Sequence, residues 1–479
     1  MAVIKWTAAD LDAVFGKDSI GQTPEDRART SNREFVRGSV QIAISNPRAT
    51  GRRLSAIETL DAFGSDILYD IKENGFTPIV LKAGEPGKTI STRRASMSLS
   101  VDDVASRASI SSEELINFEQ GKSDLPYRAI EKICRSLVLD ESAIGYQSGS
   151  GGDPQLGVRF KEFISGSDEI SPMSGRMLVH LAEASWVVRK QLALQVKLGH
   201  SQRDTLLKYD FKHNSDYKYP CYTKGYMLAA RTRNALGLGE LEPIESLTNL
   251  IEETLLIPVV SSEFTRLLAG ATVSPTDDGR GILLNVTGYN SNVWVRRVTL
   301  AHELAHLLWD PASKLNGLVV DEYEALSGAS TESPAYDEVE ARANAFAAEF
   351  LAPRKGVELV FKKYVRSSEG LRAVMEYYGI SYSTARWQLI NSGLINAEDY
   401  PSVDAEHTED WVVREEATLS FFPGISLPSS RRGKFFKVVM QSVSKKLISN
   451  DTAAFCLDCS LEEFLAHKDN LESLAEITN

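Results

Sequence analysis

Apolar positions recur at spacings of three and four along most of the chain, which predicts a mainly helical protein. Val101, Val104 and Ala105 share one helical face, Leu115, Ile116 and Phe118 mark a second helix, and a tight turn at Ala108 to Ser111 joins the two. Ile130, Ile133, Cys134 and Leu137 form a third stripe. Further on, Leu300, Leu304, Leu307 and Leu308 make a strongly buried face, and Val339, Ala343, Phe346 and Phe350 make another that ends at Pro353. A helix at Lys434 to Ile448 follows, then one opening with the capping box Ser460-Leu-Glu-Glu463. The stripe lapses at QSGSGGDPQLG, Gln147 to Gly157, which reads as a linker, and again near Ser392 to His407. With 479 residues the chain is long enough for about three domains.

Composition narrows the class. Apolar residues are 43% and charged residues 25%, the balance of a globular protein. Lys and Arg total 53 against 65 acids, a net charge of −12 that argues against a generic basic coat for nucleic acid. One stretch is locally cationic: Arg27, Arg29, Arg33, Arg37, Arg48, Arg52 and Arg53, with Glu34 the one acid among them. These are candidate phosphate contacts, and a solvated surface or flexible arm is the competing reading. Four cysteines are too few for a disulfide framework, and Cys456-Leu-Asp-Cys459 is a lone pair read as buried thiols. The N-terminus lacks the pattern of a signal peptide, and nowhere do ~18 apolar residues run together, so the expectation is a cytoplasmic protein with no membrane span. Gly87-Lys88-Thr89 imitates the tail of a phosphate loop, but Lys82 stands where its first glycine belongs.

The chemistry concentrates in VTLAHELAHLLWD, Val298 to Asp310. His302 and His306 are four apart on a helix, so both imidazoles reach one metal ion. Glu303 points about a hundred degrees away, poorly placed as a ligand but well placed to bond a water on the metal. A third ligand must come from downstream, where Asp321, Glu322, Glu324, Glu332, Asp337, Glu338 and Glu340 compete. Glu340 has the best setting. It opens an alanine-rich helix able to approach the metal helix closely, and Asn344 on the same face offers a supporting amide. Tyr323 and Tyr336 are candidates to stabilise an oxyanion, each set against an ordinary core or surface role. The strand at Ile282 to Asn285, within GILLN, would hold an extended substrate by main-chain pairing if it lay at a sheet edge.

Two resemblances follow. Residues 96–145 resemble the repressor-type (XRE or Cro/CI) helix-turn-helix at Val104, Ala105, Ile110, Ser111, Ile116, Glu119, Gly121 and Lys122. The second helix there opens Ser111-Ser112-Glu113-Glu114, and two carboxylates facing a phosphate-lined groove weigh against DNA reading. Residues 174–395 resemble the ImmA/IrrE family of metallo-endopeptidases, through GILLN, RRVTLAHELAHLLW, Glu340-Ala-Arg-Ala-Asn344-Ala-Phe-Ala347 and the closing YYGISYSTARWQLINSGLI. That resemblance implies that His302, His306 and Glu340 bind zinc and that Glu303 is catalytic. Arg342 departs from it, since many relatives carry a second acid there.

The expected fold is multidomain and mainly α, with a small mixed α+β zincin-like peptidase core and an N-terminal helical helix-turn-helix unit. The expected segments are 1–85 of unassigned role, the helix-turn-helix at 86–146, the linker at 147–157, the peptidase at 174–365, a small helix-turn-helix at 366–398 and an unassigned 399–479. The function expected is a zinc-dependent endopeptidase of narrow specificity, with manganese as the alternative metal. Its substrate would be a repressor or toxin–antitoxin partner in a stress, phage-defence or mobile-element response. DNA and a second copy of the chain are further candidate partners. The competing class is a non-cleaving transcription regulator or antitoxin, and a third reading makes the arginine cluster the nucleic-acid trigger of the protease.

Overall fold

The computed structural model describes residues 5–79, 81–146, 175–209, 221–264, 268–276, 279–310, 319–322, 338–416 and 425–477. It is mainly helical, with two small sheets. Contacts divide the chain into two compact units, one of Met1–Gly199 with Phe421–Asn479 and one of His200–Ser420. The linker at Gln147 to Gly157 lies outside the described residues.

The first unit begins with α1 (Ala8–Phe15) and α2 (Pro24–Thr30). A four-stranded antiparallel sheet follows, built from β1 (Glu34–Arg37), β2 (Gln41–Ile44) and β3 (Arg52–Ser55). Helix α3 (Ala56–Asn74), opened by a Ser55/Glu58 capping box, leads to β4 (Phe76–Pro78), and the strand order is β3-β1-β2-β4. Phe15, Phe35, Ile42, Leu54, Leu60 and Leu68 form its core. Strands of three or four residues are too short to show alternation, so sequence periodicity missed the sheet.

The sheet corrects the reading of the arginines. Arg37 is 1% exposed and donates to the carbonyls of Ile144 and Ser39, at 3.1 Å each. Arg52 is 2% exposed, pairs with Glu131 and donates to the carbonyl of Asp451. Neither guanidinium can reach a phosphate, because both are buried inside the unit. Arg27 donates to the Gly21 carbonyl and pairs with Asp12, Arg33 donates to the Val14 carbonyl, and Arg53 lies 3.6 Å from Glu34. Arg29 and Arg48 are exposed.

Helices α4 (Gly87–Ser96), α5 (Val101–Ala108), α6 (Ser112–Glu119) and α7 (Tyr127–Ser136) come next, then α8 (Gly175–Lys197). The glycine of Gly87-Lys88-Thr89 serves packing: a Cβ there would stand 2.2 Å from the Phe118 carbonyl. Between α5 and α6, Ser109 turns the chain at φ 61°. Glu114, one of the two acids set against DNA reading, instead accepts from the Ser111 backbone N–H at 2.8 Å and closes a capping box. Ile116, counted among the apolar helix positions, is exposed.

The second unit opens with α9 (Gln202–Lys208) and α10 (Cys221–Ala235). Its sheet contains β5 (Val259–Ser262), β6 (Leu268–Thr276) and β7 (Gly279–Asn285), joined after α11 (Val293–Trp309) by β8 (Val319–Glu322). The order is β5-β7-β6-β8, with β5 parallel to β7 and the other pairs antiparallel. Strand β7 therefore lies inside the sheet with both flanks bonded, and the GILLN segment is not an edge for substrate. Helix α12 (Glu338–Leu351) packs on α10 and α11, and α13 (Arg354–Phe361), α14 (Ser367–Tyr378), α15 (Tyr382–Asn391) and α16 (Glu409–Glu416) complete the unit.

Three helices return to the first unit: α17 (Gly433–Ser444), α18 (Asn450–Leu457) and α19 (Leu461–Ile477). Asp451 on α18 accepts from the Arg53 backbone N–H at 2.8 Å and pairs with Arg128, tying α18 to β3 and α7. Cys134, Cys456 and Cys459 are free thiols, and burial pushes Cys456 up to about 11 and Cys459 up to about 12. Both stay protonated at neutral pH, as inert packing groups. Among the described residues no helix is long and apolar enough to cross a membrane.

Candidate metal centre

Helix α11 carries the centre, and the residues before it fix its register. Asn285 ends β7 and accepts through Oδ1 from the backbone N–H groups of Phe264 and Thr287, both at 3.1 Å. Asn290 donates to the carbonyls of Ala269 and Asn285, and its own Oδ1 accepts from Thr299 at 3.0 Å. Asn292 caps the helix through the Trp294 N–H. Arg297, 1% exposed, donates to the carbonyls of Gly379 and Ile244 and pairs with Glu415. Leu300, Leu304, Leu307 and Leu308 are buried, each worth about 1.5–3 kcal/mol. That burial seats a helix whose polar residues could not otherwise enter a core.

His302 and His306 are 1% and 0% exposed. Nδ1 of His302 lies 2.9 Å from Oδ1 of Asn344, and Nδ1 of His306 lies 2.8 Å from Oδ2 of Asp310. Both partners are acceptors, so each Nδ1 carries the proton and each Nε2 carries the lone pair. The two Nε2 atoms stand only 2.9 Å apart. Glu340 Oε2 lies 3.1 Å from one and 3.5 Å from the other. Burial alone would raise the Glu340 carboxyl, but its contacts with the two histidines outweigh that and hold it well below the usual range.

Three electron-rich atoms aimed at one point repel one another unless a cation lies between them. Donors about 2.0–2.1 Å from a tetrahedral centre sit roughly 3.3 Å apart. The observed separations bracket that value, and among the described residues these three are the group able to hold a metal ion. The donor set therefore fits a divalent cation.

Residues 288–389 match the Peptidase_M78 family, the IrrE N-terminal-like domain. The matched segment contains α11 through α15 apart from residues 390 and 391, and it holds all three donors. It covers about a fifth of the chain and supports the ImmA/IrrE resemblance and a metallopeptidase role. No curated protein gives a significant match.

Glu303 reaches strand β6 of the sheet. It is fully buried and accepts from the Thr272 hydroxyl on β6 at 2.9 Å. Gly270, two residues earlier, leaves the space for it: a Cβ there would stand 2.6 Å from Glu303 Oε1. Sequence reasoning missed Thr272, Gly270 and Asp310. Asp310 had a local signal, lying four residues after His306 on the same face, whereas Thr272 and Gly270 reach Glu303 only through the fold. Tyr323, Tyr336, Glu324, Glu332 and Asp337 lie outside the described residues. None of the arginines singled out for nucleic acid belongs to this unit.

Proposed function

We propose that this centre makes the chain a zinc-dependent endopeptidase of narrow specificity, of the HExxH, gluzincin-like kind. The observation that carries the reading is the pair of histidine lone pairs held toward one point beside Glu340. Two imidazoles and a carboxylate suit zinc, with manganese the alternative. When bound, a divalent cation supplies Lewis acidity, polarising a scissile carbonyl and lowering the pKa of a coordinated water to about 7.

The residues of the chain divide the remaining work. Asn344 and Asp310 fix the tautomers of His302 and His306. Glu303, steadied by Thr272, takes the proton of the attacking water and passes it to the leaving amine. Among the described residues β8 is an outer strand of the sheet, beside β6, and in this reading an extended substrate pairs along it. The substrate in this reading is a transcriptional repressor or antitoxin partner cut in a stress, phage-defence or mobile-element response. Residues 86–146 serve as a repressor-type helix-turn-helix, supported by two eight-residue capped helices on a short turn. The free thiols suit the reducing cytoplasm.

Metal analysis of purified wild type beside His302→Ala tests the reading. One zinc per chain, lost in the variant, is the expected result, and Glu303→Gln then serves as a trap for the substrate. A wild type that cannot be loaded with metal sinks the peptidase and leaves a non-cleaving regulator in front.

A further inference from the structure

We infer that Arg342 is a positioning residue for the metal centre, acting through Asp310 on His306. The inference rests on reading the triad as a metal site, and concerns the position at which the chain departs from the family pattern.

Asp310 is the C-cap of α11, and its backbone N–H donates to the His306 carbonyl at 3.0 Å. Its side chain turns back along the helix, so that Oδ2 meets Nδ1 of His306 while Oδ1 meets the Arg342 guanidinium of α12. Asp310 is 3% exposed. A carboxylate buried to that degree needs a partner for each oxygen, and Arg342 supplies the one that His306 does not. Held by Arg342 in this way, Oδ2 of Asp310 faces Nδ1 of His306 and leaves Nε2 turned toward the donor cluster.

One turn of α12 thus does three jobs. Glu340 contributes the carboxylate donor, Arg342 fixes His306 through Asp310, and Asn344 fixes His302 directly. Glu340 and Asn344, four apart, share one face of α12, while Arg342, about 200° round the helix from Glu340, reaches Asp310 through its long side chain. Any slide or rotation of α12 against α11 would disturb all three contacts together. Arg342 is the electrostatic strap that opposes it, because its ion pair joins the helix of Glu340 to the helix of His306. Its contact is a single N–H to a single oxygen, so a lysine can replace it where an uncharged side chain cannot.

The test is zinc affinity by chelator competition on the full chain, with the cobalt-substituted visible spectrum as a geometric readout. Arg342→Met should bind zinc ~10- to 100-fold more weakly, the range for removing an outer support of a metal ligand, and should alter the cobalt bands. Arg342→Lys should recover most of that affinity and the wild-type bands. Apo melting temperatures within a few degrees of wild type separate positioning from a general loss of fold. If Arg342→Met does not fold, Asp310→Asn provides the same test, since it keeps an acceptor for His306 but loses the ion pair. Affinity within twofold of wild type in the folded variant overturns the proposal, as does a lysine variant no better than methionine. A wild type that binds no zinc removes the metal reading and this inference with it, and the wild-type arm alone shows that outcome.

Discussion

Gly225→Ala reverses the sign that helix propensity alone would give. Gly225 lies within α10, where alanine is ordinarily better by about 1 kcal/mol. In this fold a Cβ at 225 would stand 2.3 Å from the Arg342 carbonyl oxygen, 2.8 Å from Ala345 Cβ and 2.9 Å from the Phe346 backbone nitrogen. Two of those atoms are backbone, so no change of rotamer relieves the overlap. Helices α10 and α12 must separate by about 1 Å to recover normal contact near 3.5 Å. Overpacking of this kind costs about 1–3 kcal/mol, and loss of contact along the helix pair adds to it. The propensity gain offsets part, leaving a net destabilisation of about 1–2 kcal/mol. For a unit of this size that lowers the melting temperature by roughly 2–8 °C. The displaced backbone is that of Arg342, two residues from Glu340, so zinc affinity should fall as well, by ~10-fold. Calorimetric melts with and without zinc read both effects. A variant more stable than wild type, with unchanged zinc affinity, would refute the close approach of α10 to α12 and with it the argument that this packing sets the position of Glu340.

Other outcomes follow from the same geometry. Thr272→Val preserves shape but removes the hydroxyl from Glu303, a hydrogen bond worth about 1.5–3 kcal/mol to a charged group. Cleavage of the trapped substrate should drop ~10- to 100-fold with zinc content unchanged, and a parallel loss of zinc would contradict the role given to Thr272. In the first unit, burial pulls the Glu183 carboxyl up, but Arg107, Arg135 and Arg431 outweigh it and lower its pKa below 4.5. A lowered carboxyl stabilises the fold above the unfolded value, and that contribution disappears as pH falls through the folded value. Glu183→Gln should therefore be less stable than wild type at pH 7, with part of the gap closing as pH falls. Urea melts at both pH values check this, and a gap that does not change with pH would count against it. Arg52→Met should unfold the first unit, since it removes the buried partner of Glu131. Reversing the exposed Arg29 and Arg48 should leave its melting temperature within about 1 °C while weakening any salt-dependent DNA binding.

What could be read from the sequence was local. The two histidines and Glu303 lie within one helical turn, so their spacing alone fixed which side chains share a face. Glu340 and Asn344 were legible for the same reason, as a pair four apart on a helix with an apolar stripe. The four buried leucines of α11 announced a core helix through their period. The small antiparallel sheet did not, because each strand is shorter than the pattern needed to recognise it. Arginine was the most misleading residue. Seven of them in one segment read as a cationic surface, yet Arg37 and Arg52 are among the most buried side chains of the first unit.

Charge in a sequence reports only that a countercharge must be found, and the fold decides whether water, a ligand or the protein supplies it. Arg52 finds Glu131 seventy-nine positions away, and Arg342 finds Asp310 thirty-two positions away. No local spacing links either pair. At position 342 this changes the meaning of a departure from the family pattern. Read along the chain, an arginine in place of an acid subtracts a carboxylate from the neighbourhood of the metal. In the folded unit it joins a carboxylate already present at Asp310 and turns it toward His306. A comparison at position 342 alone would not consult Asp310, so the pair has to be tested as a unit.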